Sequence, residues 1–189
     1  MMHEKAIFLD TPDGKQIFCI TNQAGAAPSA RVVVLSHGLT GGPNEYMHQA
    51  ARDFFMARGY DVLRFAYYWI EPQCRKLDET TLAIYAQDLQ TVLSYARQYH
   101  DDIFVCGHSY GGLTLLFANP DVTALSFWDS AYRPGWVSSS EIIDGKTYVK
   151  FGGKHTMIGE AMIAEAQSLF DFPEEFTRMA QAIHAPSQI

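Results

Sequence analysis

The sequence is poor in charge, in cysteine and in long apolar runs. Charged residues make up 19% of its 189 positions, and 14 Lys and Arg against 21 Asp and Glu leave a net charge of −7. No basic cluster is longer than a pair. Nothing is built to neutralise a phosphate backbone, so nucleic acid is not an expected partner. The acidity favours solubility and says little about substrate. No uninterrupted apolar run approaches the ~18 residues of a membrane span. The start, Met1-Met2-His3-Glu4-Lys5, is not followed by the apolar core of a secretory signal. Three cysteines cannot all pair within one chain. Cys19 and Cys106 sit in apolar stretches and read as small core residues. Cys74 sits in a polar loop with no neighbouring Cys for a redox or zinc pair. A reducing cytoplasm is the expected setting. No His/Cys/carboxylate cluster occurs at ligand spacing, so neither a metal nor an organic cofactor is implied.

What is present is enough apolar material for a core. Hydrophobic residues reach 48%, and the length suits one domain spanning residues 1–189. Lys5 to Asp10 and Gln16 to Thr21 read as strands flanking the turn Thr11-Pro12-Asp13-Gly14. Arg31-Val32-Val33-Val34-Leu35 reads as a strand buried on both faces. Met47, Ala50, Ala51, Phe54 and Phe55 recur at helical spacing, and Gly59 stops that helix. Tyr60 to Tyr67 is a strand, and Leu82, Ala86, Leu89, Val92, Leu93 and Ala96 mark one face of a long helix. Asp102 to Cys106 is a strand, Gly111 to Ala118 a helix and Val122 to Trp128 a strand. This alternation predicts an α/β fold: a mostly parallel sheet with helices on both faces. Residues 130–172 break the rhythm. They read as a helical, cap-like insertion after the sixth strand, helical around Gly159 to Leu169. A last helix, Pro173 to Ile183, leads into His184 and Ala185 to Ile189.

Gly107-His108-Ser109-Tyr110-Gly111 fits G-x-S-x-G, and Gly112 follows. A short Gly/Ser pattern alone is weak, but this one follows a buried strand and opens a helix, which is the context that the motif requires. The sharp turn strains the serine and leaves no room for side chains beside it. It also points a helix N-terminus at the serine, where an anion develops during attack. Ser109 is therefore the candidate nucleophile. The loop Ser36-His37-Gly38-Leu39-Thr40-Gly41-Gly42, directly after the third strand, faces the same turn in this topology. Acyl transfer needs two backbone N–H groups on the oxyanion, and Leu39 and Tyr110 are the candidates. The loop lacks the Lys and Ser/Thr of a P-loop and the full dinucleotide spacing. His37 reads as a brace of this loop.

Together, Ser36 to Gly42, Arg58 to Phe65 (Arg-Gly-Tyr-Asp-Val-Leu-Arg-Phe) and Gly107 to Gly112 resemble the α/β-hydrolase superfamily, over about Lys5 to Trp128. Val149-Lys150-Phe151-Gly152-Gly153 and the helix after it are similar in layout to the caps of esterase and acyl-thioesterase members. The resemblance implies a serine hydrolase acting on a small acyl ester or thioester. It also implies the order Ser, then Asp or Glu after the seventh strand, then His after the eighth. Here Ala185 to Ile189 resembles the opening of that seventh strand. Three readings stand. In one, the chain is truncated and lacks the acid and base. In another, a rewired triad uses Asp129, at the end of the sixth strand, with His155 from the insertion. In the third, the chain is a catalytically silent binding module. Tyr67-Tyr68-Trp69, after the fourth strand, either lines an acyl pocket or simply packs. With the last strands missing, an open sheet edge beside Val122 to Trp128 implies a homo-oligomer formed through it.

Overall fold

The computed structural model describes residues 3–131, 140–151, 153–170 and 173–188. The strands are β1 (His3–Asp10), β2 (Gln16–Gln23), β3 (Arg31–Ser36), β4 (Asp61–Ala66), β5 (Asp102–His108), β6 (Ala124–Trp128), β7 (Glu141–Ile143), β8 (Lys146–Phe151), β9 (Lys154–Met157) and β10 (Ser187–Gln188). The helices are α1 (Tyr46–Met56), α2 (Leu82–Ala96), α3 (Tyr110–Ala118), α4 (Glu160–Phe170) and α5 (Pro173–Gln181). Seven strands form the main sheet in the order β1-β2-β4-β3-β5-β6-β10. The pairs β3–β4, β3–β5, β5–β6 and β6–β10 are parallel. Only β1–β2 and β2–β4 are antiparallel. The α/β fold with a mostly parallel sheet is as the sequence predicts.

Strand alternation sorts the helices between the two faces. Val32 and Val34 of β3, Leu63 and Phe65 of β4, and Ile103 and Val105 of β5 join one core with α2 and α3. Val33, Leu35, Val62 and Cys106 point the other way, against Ala51, Phe55 and Met56 of α1. Thr81 caps α2, its side chain accepting from the Ile84 N–H. Every residue of β4 is buried, including Arg64. Its guanidinium donates to Glu4 (2.7 Å), Asn22 (3.2 Å), Asn44 (2.9 Å) and the Pro43 carbonyl (2.9 Å). A buried cation is tolerated only when it is paired and hydrogen-bonded; here the two terminal nitrogens make these bonds while Nε is left without a partner, and the set ties residues 43–44 to the sheet.

Residues 130–172 correct the expectation of a helical insertion. Their described part opens with a three-stranded antiparallel sheet, β7-β8-β9, and only then turns helical in α4. Residues 132–139 lie outside the described residues. The signal was present: Asp144-Gly145 joins β7 to β8 with φ of 50° and 73°, the pairing of residues and angles that favours a two-residue hairpin. The segment also packs into the main core, where Val149, Ile158, Met162 and Ile163 join the α2–α3 cluster. The Glu165 carboxylate accepts from the Leu82 and Ala83 N–H groups, satisfying orphan donors at the start of α2. Gly159 passes so close to residue 78 that a Cβ there would lie 2.1 Å from the Asp78 carbonyl oxygen.

Cys74 adds a detail to its loop reading. It lies in the loop after β4 yet is buried, bridging to Gln16 as a short extension of the sheet. No helix among the described residues is long and apolar enough to cross a membrane.

Candidate active site

The glycines around Ser109 are required by contact. A Cβ on Gly107 would stand 2.7 Å from the Gly111 carbonyl oxygen, and one on Gly111 would stand 2.4 Å from that of Ser36. One on Gly112 would meet Ser130 Oγ at 1.8 Å. The strand β5, the helix α3 and the end of β3 are thus squeezed together, and Ser109 takes the turn between them. Its backbone sits at φ 51° and ψ −117°, a conformation that a non-glycine residue holds only under constraint. The constraint is visible. The Ser109 N–H donates to the Trp128 carbonyl (3.0 Å), and its own carbonyl accepts from Gly112, Leu113 and Ala131. Ser109 precedes α3, yet its side chain makes no capping hydrogen bond.

The loop after β3 lies against this turn. A Cβ on Gly38 would stand 3.1 Å from Ser109 Cβ and 3.4 Å from the His108 carbonyl oxygen. His37 is fully buried. Its Nε2 accepts from the Tyr67 N–H (3.1 Å), and its Nδ1 lies 2.7 Å from the Gly38 carbonyl. Burial pushes its pKa down to about 4. The brace expected at this position is thus built from both ring nitrogens. Tyr68 Oη donates to the Gly41 carbonyl (2.7 Å). Tyr67 is buried against Ser36 Oγ (2.7 Å), and Trp69 stacks on Phe18 with centroids 4.6 Å apart. In these contacts the three aromatics brace the loop and the sheet.

Sequence reasoning passed over a polar group beside the loop. His48, buried in α1, meets the Gly42 carbonyl through Nδ1 (3.1 Å) and lies 3.5 Å from Glu45 Oε2. Burial lowers its pKa. His108 Nδ1, inside the serine motif, is buried without a hydrogen-bond partner. Helical spacing marked α1 as amphipathic. Nothing in that spacing says that a polar residue of the helix turns inward.

The residues expected as acid and base stand in separate places. Asp129 follows β6 directly, and the register pairs Trp128 with His108, so Asp129 leaves the sheet beside Ser109. It is exposed, with φ 44°. His155 sits in β9 opposite Lys150, with Nε2 3.7 Å from Glu141 of β7. Among the described residues no contact joins His155 to Asp129 or Ser109, and no imidazole is hydrogen-bonded to Ser109 Oγ. Among the same residues, no group of three or more His, Cys, Asp or Glu side chains is arranged to hold a metal ion.

A mostly parallel sheet in this strand order, with a strand-to-helix turn after its central strand, is the α/β-hydrolase fold. Known structures bear this out. Est1E from Butyrivibrio proteoclasticus superposes with a TM-score of 0.73 at 20% identity, over 96% of this chain and 75% of that one. The esterase domain of a Rhodothermus marinus protein gives 0.71 at 18%, over 98% and 74%. The Pyrococcus furiosus esterase Pf2001 gives 0.70 at 17%, over 98% and 69%. Est1E has also been seen with ferulic acid bound. No protein-family model matches the sequence and no curated protein matches it significantly, so the likeness lies in the fold.

Proposed function

We propose that this chain is a serine hydrolase that cleaves a carboxylic ester or thioester through an acyl-enzyme on Ser109. The observation that carries the reading is Ser109 at φ 51° and ψ −117°, uncapped, between a buried strand and a helix N-terminus. Ser109 Oγ attacks the acyl carbon as its proton passes to a base. The carbonyl oxygen becomes an oxyanion, received by the N–H groups of Leu39 and Tyr110. Collapse expels the alkoxide or thiolate, which takes up the proton, and water repeats the sequence to free the acid. Asp129 is the carboxylate offered for orienting a base, and His155 is the candidate base. The esterase neighbours support an ester substrate, and three buried thiols suit a reducing compartment such as the cytoplasm. Self-association along the β10 edge belongs to the same proposal. There the α1 side of the sheet keeps a groove of about 530 Å³ lined by Phe55, Tyr60, Phe104 and Trp128.

The test is labelling of the purified chain with a fluorophosphonate probe, alongside hydrolysis of p-nitrophenyl acetate. Label located on Ser109 by mass spectrometry, with both signals lost in Ser109→Ala, is the expected result. The second reading, a catalytically silent binding module, is favoured by the lack of an imidazole on Ser109 Oγ among the described residues. A folded chain that neither labels nor turns over selects that module.

A further inference from the structure

We infer that His37 is a positioning residue: held by the Tyr67 backbone, its imidazole pins the Gly38–Leu39 peptide so that the Leu39 N–H is aimed at the oxyanion. This rests on the hydrolase reading above and adds to it the device that sets one of the two donors.

The chemistry of the two contacts assigns the tautomer. The Tyr67 N–H can only donate, so the Nε2 that meets it at 3.1 Å carries a bare lone pair. The proton is then on Nδ1, and the Gly38 carbonyl, 2.7 Å away, can only accept it. The Gly41 N–H donates to the same oxygen at 3.1 Å. Gly38 C=O and Leu39 N–H are the two ends of one planar trans peptide and point in opposite directions. Pinning the oxygen therefore sets the direction of the N–H. The peptide lies where this matters, because Gly38 packs against Ser109 Cβ.

Tyr67 is a firm anchor for such a device. Its hydroxyl shares a hydrogen bond with Ser36 Oγ (2.7 Å) at the end of β3. Its ring stacks on Tyr85 of α2, with centroids 3.8 Å apart and planes 5° from parallel. Tyr85 in turn meets Tyr110 edge-on at 5.4 Å. One aromatic column thus backs both candidate donors: Leu39 through His37, and Tyr110 through ring packing. The device works only with a neutral imidazole, since a doubly protonated ring has no acceptor for the Tyr67 N–H. Burial keeps it neutral, against the opposite pull of the hydrogen bond to the Gly38 carbonyl.

The experiment compares wild type with His37→Leu, which removes both contacts, and His37→Asn, which keeps a donor near the Nδ1 position. In His37→Leu, kcat should fall about 10²-fold, as for loss of one oxyanion donor. KM should stay within about twofold, and His37→Asn should recover at least about tenfold of the lost kcat. Equal loss in both variants, or a change confined to KM, would overturn the inference. Two NMR readouts do not depend on turnover. Wild-type His37 should show a protonated Nδ1 and a bare Nε2, and the Nε2–H tautomer would overturn the assignment. The Leu39 N–H residual dipolar coupling should change in His37→Leu, with the remaining amides unmoved, and return in His37→Asn. An unchanged coupling counts against the inference even if the enzyme is active. If wild type neither turns over nor labels at Ser109, the hydrolase reading falls, and these two signals alone decide whether His37 sets the peptide.

Discussion

The serine turn with its facing loop, and the segment from Asp129 to Met157, differ in how their geometry is produced. Around Ser109 the chain has almost no freedom. Gly107, Gly111 and Gly112 are each places where a Cβ would collide with backbone or with a buried side chain, and the Ser109 carbonyl accepts three N–H groups. The hydrogen bonds that hold the turn and loop come from close neighbours and from the ends of adjacent strands. The described residues from Asp129 to Met157 are held differently. Their sheet is small and mostly exposed, and the two candidates for acid and base sit in separate places: Asp129 at a strand end, His155 facing Glu141. A nucleophile can be specified by local crowding. A triad needs three distant segments to arrive together, and only packing can arrange that.

Several changes would break or sharpen this contrast. The largest expected effect concerns the second region. If Asp129 orients the base, Asp129→Asn should cut turnover by about 10³-fold or more, in the manner of a lost triad member. His155→Ala should stay within about twofold if the ring belongs to Glu141, and should match Asp129→Asn if it is the base. Steady-state kinetics on both variants separates the cases, and a thousandfold loss in His155→Ala would move the catalytic base into β9.

Next comes the turn itself. Gly111→Ala places a methyl group 2.4 Å from the Ser36 carbonyl oxygen, and neither backbone can give way easily. A loss of about 3 kcal/mol is expected from such overpacking, read as a lower urea midpoint. A neutral result would mean that the turn is looser than its contacts imply.

Acid should act on the loop. Folded His37 stays neutral down to about pH 4, whereas a free imidazole protonates near 6.5. Between those values the unfolded chain binds the extra proton. Stability should therefore fall as pH drops from about 6.5 towards 4, by up to about 3 kcal/mol from this group, and level off below. Urea titrations across that range, with His37→Asn as the reference, isolate the contribution.

The smallest effect has the opposite sign. Ser109→Gly relieves φ 51° and ψ −117° and should stabilise the fold by about 1 kcal/mol, while removing the nucleophile. Thermal melting of this variant against Ser109→Ala tests whether the strain is real. If the two melt together, the turn carries no strain that glycine can relieve.

Much of the fold was legible from pattern alone. Val32 to Leu35 alternate between the two faces of the sheet, and Leu82, Leu89, Val92 and Leu93 line the buried side of α2. The hairpin at Asp144-Gly145 was equally legible but was outweighed by the helical pattern that follows it. Cys74 looked polar because its neighbours are polar. Burial of a loop residue depends on what folds over it, and the contact with Gln16 is made across the chain.

By itself the sequence determined the parallel α/β sheet, the strained serine between β5 and α3, and the glycine loop that meets it. These rest on period-two and helical apolar patterns and on glycines at the positions where the crowded turn has no room for a side chain. Tertiary structure alone decided the tautomer of His37, the inward turn of His48 and the capping of α2 by Glu165, which accepts from Ala83 N–H 82 residues away. The tautomer and the cap depend on a polar atom losing its water and finding a partner from a remote segment, Tyr67 for His37 and the start of α2 for Glu165, and spacing along the chain does not encode that meeting.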